Sequence, residues 1–581
     1  MSRFVRLLAA FAVAAGVMLL LAPQASAHAV MLGSTPADGA RLQKVPASVT
    51  ISFDEPVGLT PGYLRVVDTA GRRVDTGNPT HPGGDGSKIT VAIKSGQGDG
   101  TYIVSFRIIS ADSHPVAGSV RFVVGNGALG VGGGSSGSTE VNQAVSTALA
   151  TSHWLSFAGI GLVGGSWLVF SLWPAGQRRL AVRRVIWGGW TLAVLGAIGE
   201  FLLQGPYGAG TGLSTALHGD LLDATLHANT GQLLSLRLVL LGILAGVLTA
   251  TLWPYQGRPD ESARPSWGPE AAAIVGVGVV ITFAASGHAQ SANPRWLAVL
   301  VDALHLTAMI VWLGGLVILL VAAFSHRRGR SGGDGAQDEP ADPTADPTVE
   351  LAGGSADSTD ELAAGLPIFS RVAMAAVATL AVTGTIQAWR EIGALDAITQ
   401  TWYGRLVLIK VGLFLTLLVL GYGARGIVLR ASRSRSVLTR LRRTLITEVT
   451  VGAAVLVATG ILIAQPPGQV ALAAQRSKPQ TTTVAVTNTA KAVVEVTPGK
   501  HGSVEVAVQL TGAIKPTDVT ATASLPAKGL GPIPVKLQAA GPATYSATDV
   551  LLPSAGDWLI SVTVQTSQFD STTAVAKIHL Y

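Results

Sequence analysis

The stretch Leu297–Ala323, LAVLVDALHLTAMIVWLGGLVILLVAA, carries only two ionisable side chains, Asp302 and His305. It exceeds the roughly 20 residues a helix needs to cross the hydrocarbon core of a bilayer. Similar apolar runs lie near 153–173, 185–203, 233–253, 271–287, 368–390, 405–429 and 444–464, which predicts about eight spans. The composition agrees, with 48% of the 581 residues hydrophobic and 13% charged, far from the balance of a soluble domain. The net charge of +7 comes from short basic clusters between apolar runs, not from one basic face, and therefore reads as membrane topology and not as a nucleic-acid site. The chain has no cysteine, which excludes disulfides, thiolate metal sites and a catalytic thiol. A bound metal would have to use His, Met or carboxylate.

Arg3 and Arg6 precede the apolar run Leu7–Leu21 and the small-x-small triplet Ala25-Ser26-Ala27, so residues 1–27 read as a signal peptide whose removal makes His28 the N-terminus. Arg178, Arg179, Arg183 and Arg184 follow the first span, Arg258 and Arg264 the third, Arg327, Arg328 and Arg330 the fifth, and Arg430 to Arg443 the seventh. The positive-inside rule makes those loops cytoplasmic. The expectation is a multi-pass plasma-membrane protein with its N- and C-terminal domains on the extracytoplasmic side.

Residues 28–125 alternate apolar and polar side chains in short runs such as Val49-Thr50-Ile51-Ser52-Phe53, and so does 478–581, as in Trp558-Leu559-Ile560-Ser561-Val562. The fold class expected is mixed: an N-terminal Ig-like, Greek-key β-sandwich, a transmembrane α-bundle of about eight helices over 151–466, and a C-terminal β-sandwich-like domain. A Gly/Ser linker is expected over 126–150 and a disordered cytoplasmic loop over 325–366, where Asp, Pro, Gly and Ser dominate.

A free N-terminal His28 offers an amine and an imidazole nitrogen together, a chelating pair suited to the square-planar field of Cu(II). Asp112 and His114 stand at i and i+2, on one face of an extended strand, and complete three nitrogens and one carboxylate oxygen. The plainer reading is that Asp112 and His114 cap a turn before Pro115.

The stretches His28–Gly39 (HAVMLGSTPADG), Phe53–Val57 (FDEPV) and Ser110–Gly118 (SADSHPVAG) closely resemble the copper resistance protein C family. The resemblance implies a small secreted β-barrel with His28, Asp112 and His114 as Cu(II) ligands. Met31 is the only methionine of this domain, so the Met-rich Cu(I) site of some relatives is not expected. In the membrane region, Ser286–Ala289 (SGHA), His305–Gly315 (HLTAMIVWLGG) and Trp402–Lys410 (WYGRLVLIK) resemble the copper resistance protein D family over roughly 150–466. That resemblance implies passage of copper across the membrane.

Asp302, His305 and Met309 stand at i, i+3 and i+7 and share one helix face. Ionisable groups at such depth are costly and point to function by default. With His153 and His288 at the same outer level, they form a candidate transmembrane copper path in which the Met309 sulfur favours Cu(I). Hydrogen bonds and packing between helices are the plainer role for each of them. Asp223 and His227 make an i, i+4 pair read as a solvated loop. Arg237, Arg390, Arg405 and Lys410 read as rim residues that snorkel or pair with Glu200 and Glu391.

No P-loop or aspartyl-phosphate motif occurs, which argues against an ATP-driven pump, and no enzyme activity is expected. The expected partners are copper ions, the lipid bilayer and periplasmic or extracellular copper donor proteins, with no nucleic acid. The favoured function is capture of Cu(II) outside the cell and its delivery or import across the plasma membrane. The alternatives are a membrane-anchored copper-sequestering resistance protein, and a haem-binding membrane oxidoreductase.

Overall fold

The computed structural model describes residues 29, 31–58, 64–110, 115–125, 142–252, 267–287, 294–328, 353–429, 435–463, 465–541, 543–567 and 569–581. The chain divides into a strand-rich unit and a helical unit.

In the N-terminal part of the strand-rich unit, β1 (Met31–Thr35), β3 (Ser48–Phe53) and β5 (Lys88–Ala92) form one sheet in the order β1-β3-β5. A second sheet runs β2-β7-β6-β4, from β2 (Ala40–Leu42), β4 (Leu64–Asp68), β6 (Gly100–Ile109) and β7 (Pro115–Val124). The expected sandwich is present, built on period-2 burial. Val49, Ile51 and Phe53 point inward from β3, and Val104, Phe106 and Ile108 from β6. Phe53 meets Phe106 edge-on at 5.6 Å between ring centroids. The one buried carboxylate of this domain among the described residues, Asp75, accepts from Val66 N, Gly77 N and Arg73 Nε. Burial of that charge is thereby compensated.

The C-terminal part has its own core between the sheets β13-β14-β10-β9-β8 and β12-β11-β15-β16. The strands are β8 (Gln480–Ala485), β9 (Ala490–Thr497), β10 (Gly502–Gly512), β11 (Asp518–Leu525), β12 (Leu530–Val535), β13 (Gln538–Gly541), β14 (Thr544–Leu552), β15 (Gly556–Gln565) and β16 (Ser571–Leu580). Trp558, Ile560, Val562 and Val564 supply the inward face of β15, and the Trp558 indole donates to Ser554 O at 2.8 Å. Arg121 of the first sandwich pairs with Glu505 of the second at 2.6 Å.

The helical unit holds α1 (Gln143–Gly164), α2 (Ser166–Ser171), α3 (Leu180–Ala209), α4 (Gly219–His227), α5 (Asn229–Leu252), α6 (Gly268–Ala285), α7 (Arg295–Arg328), α8 (Gly353–Ile392), α9 (Leu395–Gln400), α10 (Trp402–Leu429) and α11 (Arg435–Ile463), and a short α12 (Gly468–Arg476) leads into the strand-rich unit. Among the described residues eight helices, with α1 and α2 counted as one, are long and apolar enough to cross a membrane. Unlike a soluble bundle, they expose large apolar side chains as well as burying them. α3 buries Gly189, Ala193, Gly196, Ala197 and Glu200, while Leu195 and Ile198 face outward. Lipid is as apolar as a core, so small residues that let backbones approach take the interior. A Cβ on Gly314 of α7 would meet the backbone of Gly161 in α1 and of Gly165 just after it, and one on Gly159 would meet Ala193 in α3. These glycines set the register of α1 against two neighbours.

Two segments are more ordered than their composition implied. α1 starts inside the expected linker, with the Asn142 side chain capping the N–H groups of Ala144 and Val145, a stabilising arrangement. α8 starts at Gly353, inside the expected disordered loop 325–366, and α7 runs to Arg328. Ala, Leu and Glu after Ser355 are good helix formers, and Glu361 accepts from Ala175 N at 3.0 Å. The expected signal peptide and the remainder of the expected linker and loop lie outside the described residues.

Candidate functional site

His28, Asp112 and His114 lie outside the described residues. Their flanks are placed: Ala29 is buried, β6 ends at Ile109, Ser110 is buried, and β7 begins at Pro115. Ala29, Ile108 and Val116 belong to one hydrophobic cluster, so the chain on either side of the three expected ligands is anchored in the same core.

Asp302, His305 and Met309 take up the shared face of α7, and α8 supplies their partners. Gln387 Nε2 donates to Asp302 Oδ1 at 2.9 Å, and His305 Nδ1 lies 2.8 Å from Thr383 Oγ1. Thr383 and Gln387 are one turn apart, as are Asp302 and His305, so the two helices are joined rung by rung. Met309 packs with Ala308, Ala376 and Leu380, and its sulfur lies near Gly161. Lys410 of α10 acts electrostatically on both Asp302 and His305, and Arg390 on Asp302.

His153 belongs to a different centre. Its Nε2 is 3.8 Å from Glu200 Oε2, and that oxygen accepts from Arg237 Nη1 at 2.9 Å. Arg237 is 1% exposed and also donates to Thr282 Oγ1, Thr282 O and Ser286 Oγ, with its guanidinium over the Phe283 ring. Of the two roles expected of Arg237, snorkelling or pairing with Glu200, the structure shows the pairing, with the guanidinium buried. Arg390 and Glu391 are 3.7 Å apart, the carboxylate buried and the guanidinium partly so. His288 lies outside the described residues. The Asp223–His227 pair is 3.4 Å apart and exposed, on the short helix α4 where a solvated loop was expected.

Sequence reading passed over Thr383, Gln387 and Glu448. The first two show as polar residues at i, i+4 in an apolar span. Glu448 of α11 is buried, and its Oε1 has no hydrogen-bond partner among the described residues. Among the described residues no three His, Asp or Glu side chains converge as a metal site.

Two β-sandwich domains joined to eight membrane-length helices, with His and acid side chains packed between the helices, define a multi-pass membrane protein with an appended binding domain. Residues 31–125 match the CopC domain, and residues 363–462 match Copper resistance protein D. The second match covers α8 to α11 and begins after the helix that carries Asp302, His305 and Met309. A copper resistance protein C of Pseudomonas syringae pv. tomato is 32% identical over 111 residues, 18% of this chain and 87% of that protein. The chain thus belongs to the copper resistance protein C family through its first sandwich, and it carries a copper resistance protein D domain in the same polypeptide. The copper transport protein CutJ of Bacillus subtilis (strain 168) is 26% identical over 452 residues, 77% of this chain and 76% of that protein. The solved CopC structure from Methylosinus trichosporium OB3b is 24% identical, covers 17% of this chain and 93% of that one, and has a TM-score of 0.15.

Proposed function

We propose that this protein captures Cu(II) outside the cell through His28, Asp112 and His114 and delivers copper inward through its membrane helices. The observation that carries this reading is the union, in one chain, of a copper-family sandwich with a bundle whose α7 sets Asp302, His305 and Met309 on one partly buried face. Nitrogen and carboxylate donors suit Cu(II), whereas the polarisable Met309 sulfur suits Cu(I). Basic loops on alternate sides support an outward placement of both sandwiches. The conclusion rests on cost as well: polar side chains in a bilayer interior are expensive, and those on α7 line up along the direction of travel.

The test is uptake of radioactive copper by cells with and without the gene, supplied as Cu(II) and as Cu(I) under reductant. Wild-type protein raises uptake, and His305→Ala and Met309→Leu each lower it, by about tenfold for the imidazole ligand on the scale of lost ligand-support interactions. Equal uptake with and without the gene, alongside normal copper binding outside, would reduce the helices to an anchor for a sequestering domain.

A further inference from the structure

Thr383 is 2% exposed, and its hydroxyl is already committed. It donates to Thr379 O at 2.6 Å, and a hydroxyl has one proton to give. The same oxygen lies 2.8 Å from His305 Nδ1. Its lone pair is therefore the acceptor and the imidazole the donor. Turning the hydroxyl toward the ring instead would abandon the bond to Thr379 O and leave Nε2–H to find an acceptor of its own. Among the described residues, Nε2 has none. The tautomer follows from this network, with the proton on Nδ1 and the lone pair on Nε2. Gly384 reinforces it, because a Cβ there would stand 3.3 Å from His305 Cε1, so the ring edge rests on bare backbone next to its hydrogen-bond partner.

We infer that Thr383 is a positioning residue: it holds His305 as the Nδ1–H tautomer and presents Nε2 as an open ligand for copper passing between α7 and α8. The ligand half of this statement rests on the copper-passage reading, and the tautomer half does not. Metal-binding histidines commonly donate their second ring N–H to an oxygen that fixes ring and tautomer, and loss of that oxygen weakens metal binding about 10- to 100-fold. Here the oxygen belongs to a side chain of the neighbouring helix, so the ligand is set only when the two helices are packed together.

The experiment is nitrogen NMR of the full-length, histidine-labelled protein in lipid bilayers. The His305 signals are assigned by their loss in His305→Asn, and thermal unfolding checks that each variant is folded. Wild type and Thr383→Ser are expected to show protonated Nδ1 and bare Nε2. Thr383→Val, which keeps the shape and loses the oxygen, gains the Nε2–H form. Cu(I) added under reductant shifts Nε2 in wild type and Thr383→Ser, at concentrations at least about tenfold lower than in Thr383→Val. Protonated Nε2 in wild type, or a valine variant that matches wild type, overturns the positioning role and leaves the copper reading standing. The expected tautomer with an Nε2 signal indifferent to Cu(I) overturns the ligand role and the copper-passage reading together.

Discussion

Replacing Arg237 by Met should be among the most damaging single changes in the helical unit, and its size can be worked from the contacts. Arg237 makes hydrogen bonds to Glu200, to Thr282 twice and to Ser286, which tie α5 to α3 and α6. Interhelical hydrogen bonds in lipid average about 0.6 kcal/mol each, so their loss alone accounts for about 2 kcal/mol. The larger effect falls on Glu200. Its Oε1 has no partner among the described residues, and without Arg237 its Oε2 keeps only His153 at 3.8 Å. Removing one partner of a buried pair commonly costs about 3–5 kcal/mol because the other charge stays buried. We expect Arg237→Met to destabilise by about 3–5 kcal/mol, and Arg237→Met with Glu200→Gln to recover at least half of that, since no orphaned charge remains. Equilibrium unfolding in mixed micelles measures both. A single variant within about 0.5 kcal/mol of wild type, or a double variant less stable than the single, refutes the view that Arg237 exists to neutralise Glu200.

Gly314→Ala places a methyl group against the backbone of Gly161 and Gly165. Because neither neighbour is a flexible side chain, overpacking should cost about 1–3 kcal/mol in the same unfolding assay. In the first sandwich, the Ser87 hydroxyl, the Lys88 ammonium and the Ser87 N–H hold the Asp85 carboxyl down at about 2, from an ordinary 3.8. The stability this lends is fully present above about pH 4 and is lost as pH falls toward 2. Carbon NMR titration of the domain should find that midpoint, and Ser87→Ala should move it back up.

How far the sequence could be read depends on the dimension of the information. The eight spans are one-dimensional: each is a run of apolar side chains longer than a bilayer is thick, and burial or exposure to lipid leaves that pattern unchanged. Both sandwiches were legible for a related reason. The alternation in Val49-Thr50-Ile51-Ser52-Phe53 and in Trp558 to Val564 states which face is buried before any partner strand is known. Helix ends such as 142–150 and 353–366 were not legible, since they depend on a cap and on the Glu361 contact with Ala175. Composition is blind to both.

The amino-acid sequence by itself determined the spans, the two alternating domains and the ligand types, for without cysteine a metal must rely on His, Met and carboxylate. Only the tertiary structure decided which intramembrane polar groups meet. A helix apolar on every side does not declare which face looks at which neighbour, so His153 could not be separated from His305 on paper. Close glycine contacts between α1 and α3 and between α1 and α7 fix rotation and register. They send His153 to Glu200 and Arg237, and leave Asp302 and His305 to Gln387 and Thr383. In lipid, where water cannot satisfy a stray polar atom, that choice of partner settles the state in which each side chain exists.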